Sequence, residues 1–140
     1  MGRKLFCDIN PTCYKISVEK EILLRKIKDL FSSEKIAKTK GEEELPNIVK
    51  SHTSILIRKL NGVDLKLQEN KVTNIMLACN KINKIIIRPG ETFSYWRTIG
   101  RVTKKKGYKE GLVIGKKGMS SGYGGGLCQM SNMIHWLVLN

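Results

Sequence analysis

The residues best suited to covalent chemistry fall in one stretch, Gly122-Tyr123-Gly124-Gly125-Gly126-Leu127-Cys128-Gln129-Met130-Ser131-Asn132. Three consecutive glycines let backbone approach backbone or ligand closely, because no Cβ obstructs. Residues 130–139 then have helical composition. A helix beginning near Leu127 places the thiol of Cys128 in its first turn. Unpaired N–H groups and the positive end of the helix dipole favour an anion there, and a field of that kind promotes the nucleophilic thiolate. The N–H groups of Cys128 and Gln129, with the Gln129 side-chain amide, are candidate donors for the oxyanion formed on attack at a carbonyl. The same letters also describe a tight turn into a buried helix. On that reading Cys128 is an inert core cysteine and Gln129 a helix-start hydrogen bond.

A base for such a thiol is harder to find. His135 lies seven residues beyond Cys128 on the same helical face, so the backbones are about 10 Å apart. A general base must come within ~3 Å or act through one water. His52 is remote in sequence, and both histidines read first as structural. Glu91 follows a Pro-Gly turn and either orders the site or is a solvated turn carboxylate. The segment 118–126 lacks the Lys-Ser/Thr ending of a P-loop and the spacing of a dinucleotide fingerprint. Cysteines stand at 7, 13, 79 and 128 with no Cys-x-x-Cys pair, and the two histidines are isolated. No zinc site and no cofactor are expected.

The elements that must hold this stretch read as an α+β domain, helices packed on a small sheet with the glycine loop leading into the last helix. The 140 residues suit one modest domain with a real core. Residues 1–17 read as a loop, with Pro11 arguing against a helix. Residues 19–31 carry Leu23, Leu24, Ile27, Leu30 and Phe31 as a helical stripe. Residues 32–47 read as a linker, giving a helical and linker segment 1–44 ahead of a domain 45–140. The apolar run 54–60 is too short to separate strand from helix, and Asn61-Gly62 signals a turn. Over residues 67–83, Val72, Ile75, Met76, Cys79 and Ile82 share a helical face, making Cys79 a core residue. Ile85-Ile86-Ile87 is a strand stopped by Arg88-Pro89-Gly90. Leu112-Val113-Ile114 is a second strand, followed by a polar segment, 115–121.

The net charge is +14, from 26 basic and 12 acidic residues. That balance favours anionic partners: nucleic acid, anionic lipid or acidic wall polymers. Lysines scattered without interleaved aromatics signal a nucleic-acid surface only weakly. No apolar run approaches the ~20 residues of a membrane span. Asp8, Asn10 and Pro11 interrupt the basic start before a signal-peptide core develops, which makes the cytoplasm the default address.

Three motifs together resemble the VanW family: Arg88-Pro89-Gly90-Glu91-Thr92-Phe93-Ser94-Tyr95-Trp96, Lys106-Gly107-Tyr108-Lys109-Glu110-Gly111, and Gly124 through Asn132. His52-Thr53-Ser54, Arg58-Lys59-Leu60 and Leu67 through Asn74 are similar to its upstream part. The resemblance covers most of residues 45–140. It implies a link to vancomycin resistance and the cell envelope, with stem peptides of peptidoglycan or anionic wall polymers as partners. It further implies acyl transfer of the L,D-transpeptidase type, with Cys128 as nucleophile and Gln129 as accessory donor. Gly124, Gly125, Gly126, Glu91, Ser131 and Asn132 would line the substrate. A non-catalytic module binding wall peptides or polymers is the alternative. Family members continue beyond this point into a segment bearing histidines, and His135 stands where they have an aromatic residue. The chain therefore reads as an N-terminal half, inactive by itself, with Met133, Trp136, Leu137 or Leu139 exposed and prone to self-association. Wall chemistry would also be extracytoplasmic.

Overall fold

Asn10 and Pro11 begin the first helix instead of preventing one. In the computed structural model, which describes residues 5–57, 62, 64–115 and 118–140, the Asn10 side chain accepts the Cys13 N–H at 2.8 Å. Pro11 takes the first helical position, where a fixed φ and a missing N–H cost nothing. Helix α1 (Pro11–Phe31) thus absorbs part of the expected loop. Contacts divide the chain into two compact units, one ending at Lys35 and the other being Ile36–Asn140. In the first unit a single 3-10 turn, Phe6–Asp8, precedes α1, and no residue of α1 is buried. The stripe of Leu23, Leu24, Ile27, Leu30 and Phe31 is exposed.

Part of the expected linker, residues 35–41, is ordered by pairing, while residues 42–47 have no regular structure. Strand β1 (Lys35–Ile36) forms a two-stranded ladder with β2 (Glu91–Thr92). Ala37, only 1% exposed, donates its N–H to the Thr92 carbonyl at 3.0 Å. Ile86 donates to the Thr39 carbonyl at 3.0 Å, and Lys40 bridges Ile85 in antiparallel fashion. The isoleucine run at 85–87 is the partner of this segment, followed by the expected turn with Gly90 at φ +78.

Helix α2 (Leu65–Ile82) lies where the periodicity places it, capped by Asp64 accepting the Lys66 N–H at 2.8 Å. Its inward face is different. Gln68, Asn74 and Ala78 are buried, while Met76 is 62% exposed and Cys79 is exposed rather than in the core. The helix is turned toward Asn74, because backbone groups packed against it need a polar partner.

The short helix α3 (Tyr95–Ile99) and a 3-10 turn, Lys104–Lys106, follow. Strands β3 (Glu110–Gly115) and β4 (Gly118–Tyr123) form an antiparallel hairpin, in register from Glu110 opposite Tyr123 to Gly115 opposite Gly118. The polar segment is therefore a strand, made so by hydrogen bonds to its apolar partner and not by its own composition. Helix α4 (Leu127–Leu139) closes the unit. The core gathers Ala78, Ile99, Tyr108, Leu127 and Met130, with Ile75, Leu77, Ile82, Tyr95, Val102 and Ile134 packed around them. The fold is α+β. Val138 and Leu139 are 76% and 69% exposed, and Trp136 39%. Residues 51–57 have no regular structure. The end of the 54–60 run and Asn61 of the expected turn lie outside the described residues. Among the described residues no helix is long and apolar enough to cross a membrane.

Candidate functional site

Asn74 is fully buried and ties the glycine loop to α2. Its Nδ2 donates to the carbonyls of Lys109 and Gly125, both at 3.0 Å, and its Oδ1 accepts the Lys109 N–H at 2.8 Å. The loop then passes so close to β3 that a Cβ on Gly125 would lie 2.3 Å from the Gly111 carbonyl carbon and 2.6 Å from the Leu112 nitrogen. Gly124, at φ +81, would place a Cβ 2.5 Å from Val102. At Gly126, φ +95, a Cβ would collide with the aliphatic stem of Lys71. The triplet expected to line substrate therefore faces the protein's own backbone and side chains. Its glycines permit close approach inside the domain.

This packing starts α4 at Leu127, as the sequence predicts, and leaves the Cys128 thiol exposed in the first turn. The Gly126 carbonyl accepts the N–H groups of Gln129 at 3.0 Å and Met130 at 3.3 Å. The Gln129 N–H is thus already committed and is not the oxyanion donor expected of it. The Cys128 N–H has no partner among the described residues. Ser131 Oγ donates to the Cys128 carbonyl at 2.9 Å. At 100° per residue, Cys128, Ser131, Asn132 and His135 fall on one side of α4. Ser131, Asn132 and His135 line an open groove of about 470 Å³ together with Phe93, Tyr95, Ile134 and Val138. His135 remains two turns from the thiol, too far for a direct proton transfer.

The other flank of α4 is clasped. Gln129 Nε2 donates to Ser54 Oγ at 2.9 Å and to the Ile55 carbonyl at 3.2 Å, while its Oε1 accepts from Lys71 Nζ at 3.2 Å. Both amide hydrogens are spent, leaving none for an oxyanion. His52 stacks on Trp136 with ring centroids 4.3 Å apart, and Lys50 Nζ lies 5.4 Å from the same indole. His52 therefore reaches α4 on the flank away from Cys128. Glu91 closes its turn: its carboxylate accepts the Arg88 N–H at 2.9 Å, and its own N–H returns to the Arg88 carbonyl at 2.9 Å. Among the described residues no group of three or more His, Cys, Asp and Glu could hold a metal ion.

Two residues of the site are missed by pattern reading. Asn74 is one; it lies off the apolar stripe of α2, among Asn70, Lys71 and Lys81, so the local pattern gives it no signal of burial. Tyr95 is the other. Its hydroxyl donates to the Leu127 carbonyl at 2.8 Å, fastening the first turn of α4. Burial foremost, then the charge of neighbouring Cys128, pushes its pKa well above the ordinary tyrosine value. The folded state then keeps a proton that the unfolded chain releases above about pH 10, so this contribution is intact below pH 10 and is lost as pH rises beyond it. Tyr95→Phe is expected to cost about 1 kcal/mol at neutral pH through the lost hydrogen bond. It should also flatten the alkaline fall in stability. Urea midpoints measured from neutral to alkaline pH check both effects.

The family model described as VanW like protein matches residues 70–140. Vancomycin B-type resistance protein VanW of Enterococcus faecalis (strain ATCC 700802 / V583) is 40% identical over 104 residues, which are 74% of this chain and 38% of that protein. Uncharacterized protein YoaR of Bacillus subtilis (strain 168) is 41% identical over 61 residues, 44% of this chain and 20% of that protein. The chain thus spans well under half the length of either relative. No solved structure matches it. The matched region runs from within α2, through Asn74, Tyr95 and the glycine loop, to the end of α4, and the chain belongs to the VanW-like family.

Proposed function

We propose that Cys128 is the nucleophile of an acyl transfer on peptidoglycan stem peptides, of the L,D-transpeptidase type, in a protein associated with vancomycin resistance as its Enterococcus relative is named to be. The thiolate sulfur bonds to a peptide carbonyl carbon, and collapse of the adduct expels the departing residue as an amine, which takes up a proton. An amine of a second stem then attacks the thioester, gives up a proton to water as the amide bond forms, and releases the thiolate. The observation that carries this reading is an exposed thiol in the first turn of α4 whose own N–H has no partner among the described residues. That N–H is the donor for the oxyanion. Ser131 and Asn132 contact substrate from the groove. Gln129 and Glu91 are positioning residues, acting through residues 54–55 and through the turn before β2. The three glycines set the place where α4 begins.

Intact-mass measurement on the chain extended to the length of its Enterococcus relative, after incubation with a soluble stem tetrapeptide, tests the proposal. An acyl adduct on Cys128 is expected, with Cys128→Ala lowering adduct formation by roughly 10³-fold or more. Undiminished adduct in that variant would end the reading. The alternative, a non-catalytic module for anionic wall polymers, is favoured by Lys81. Its ammonium donates to the Ile99 carbonyl at 2.7 Å, and burial together with Lys106 lowers its pKa, so a bound anion would relieve the two amines. Under that reading, polymer binding survives Cys128→Ala without any adduct in the parent chain.

A further inference from the structure

Among the described residues, α1 is the long helix that buries none of its own residues, whereas α2 and α4 both do. Its last two and a half turns are nevertheless two-sided. At about 100° per residue, Leu23, Leu24, Ile27, Leu30 and Phe31 fall within an arc of about 120°. All five are exposed, Leu30 to 79% and Phe31 to 83%. Lys26 and Lys28 flank this arc, one on each side, about 40° beyond its edges. Neither has an ion-pair partner among the described residues. Arg25 and Asp29 stand on the opposite face, where Arg25 Nε lies 3.8 Å from the Asp29 carboxylate. The acidic residue of the stretch is thus paired and turned away from the stripe, while the two lysines beside the stripe are left for an anionic partner. Lys20 shares the face of the stripe one turn earlier. Helical side chains lean toward the N-terminus, so its stem runs off the end of the stripe. At a lipid surface such a stem lies along apolar groups while the ammonium reaches the phosphates. In a seam with a second helix the same ammonium would be a buried, unpaired charge, which is costly. Repulsion between two chains of net charge +14 also opposes a second copy as the occupant.

We propose that residues 23–31 of α1 lie in the surface of a bilayer containing anionic lipid, with the five apolar side chains among the outer ends of the acyl chains and Lys26 and Lys28 at the headgroup phosphates. The helix lies on the membrane and does not span it. It precedes the family-matched region 70–140, and the contact asks nothing of Cys128 or of acyl transfer.

Flotation of the 140-residue chain with vesicles tests the contact. Vesicles of phosphatidylcholine alone are compared with vesicles of phosphatidylcholine and phosphatidylglycerol in equal parts. The chain is expected to float with the anionic vesicles, and the amides of residues 23–31 to exchange about tenfold more slowly there. Leu30→Ser combined with Phe31→Ser should weaken binding roughly a hundredfold, about tenfold for each large apolar side chain lost. Lys26→Gln combined with Lys28→Gln should weaken binding to anionic vesicles roughly twentyfold, since each lysine near such a surface contributes about fivefold. All four positions are exposed, so the variants should fold as the parent does, which far-ultraviolet circular dichroism checks. Cys128→Ala should bind as tightly as the parent. Basic residues elsewhere in the chain also attract anionic lipid, so the serine variant decides. Binding unchanged by the loss of Leu30 and Phe31, or no slowing of exchange in residues 23–31 on vesicles, would overturn the proposal. So would a parent chain that is dimeric without lipid and becomes monomeric in the serine variant, which would make a second copy the occupant.

Discussion

Asn74→Ala is expected to remove about 3–5 kcal/mol of folding free energy. The substitution strips partners from three backbone groups at once: the Lys109 N–H, the Lys109 carbonyl and the Gly125 carbonyl. Leaving a buried polar group unsatisfied costs about 1–3 kcal/mol each. Lys109 is the more exposed partner and can recover water, which holds the sum below the upper limit. Since small domains have about 5–15 kcal/mol in total, this one amide accounts for a large share. Asn74→Asp sharpens the test. Its carboxylate still accepts the Lys109 N–H but confronts the two carbonyls that the amide nitrogen had served. It should be at least as damaging as alanine at neutral pH and partly recover on acidification, when the carboxyl can donate. Urea midpoints followed by far-ultraviolet circular dichroism measure both. A midpoint unchanged in Asn74→Ala would show that the glycine loop is held by something else. Because Gly125 stands three residues before Cys128, either variant should also slow acyl-adduct formation at conditions where the chain remains folded.

Gly125→Ala is expected to cost about 3 kcal/mol or more, or to prevent folding. The added methyl would meet the Gly111 carbonyl carbon at 2.3 Å, the Gly111 Cα at 2.6 Å and the Leu112 nitrogen at 2.6 Å. All three are backbone atoms of β3, which no rotamer change can move aside. Overpacking against atoms that cannot yield is costly, and a shift of β3 would also disturb its pairing with β4. Gly90→Ala is the control. Gly90 has φ +78, and a Cβ there would meet nothing within 4 Å, so only the conformational cost of about 1–2 kcal/mol applies. Equal midpoint losses in the two variants would mean that close backbone approach is not what the triplet provides.

Much of this architecture is legible locally. The 3.6-residue period locates α2, and the Arg88-Pro89-Gly90 turn and the apolar strand at 112–114 also follow from their own letters. So does the start of α4 immediately after the glycines, which places Cys128 in a first turn. Composition misleads where a residue acts through its position in an element. Pro11 looks like a breaker and is a helix starter, because at the first helical position its missing N–H has no intrahelical acceptor to lose. The polar segment 115–121 carries no strand pattern of its own, yet from Gly118 it is a strand, because its hydrogen bonds are completed by β3.

Contiguous motifs, and interactions within a few residues, are enough to establish the family, the α+β class and the local setting of a cysteine at a helix start. Which way the side chains point is settled by long-range packing. Asn74 faces inward and Cys79 outward, the glycines pack on β3, Val102 and Lys71, and Gln129 holds residues 54–55 instead of waiting for an oxyanion. The reason is separation along the chain: Asn74 meets Gly125 across 51 residues and Gln129 meets Ser54 across 75. No local period encodes such partners, whose contacts exist only once burial brings the two segments together.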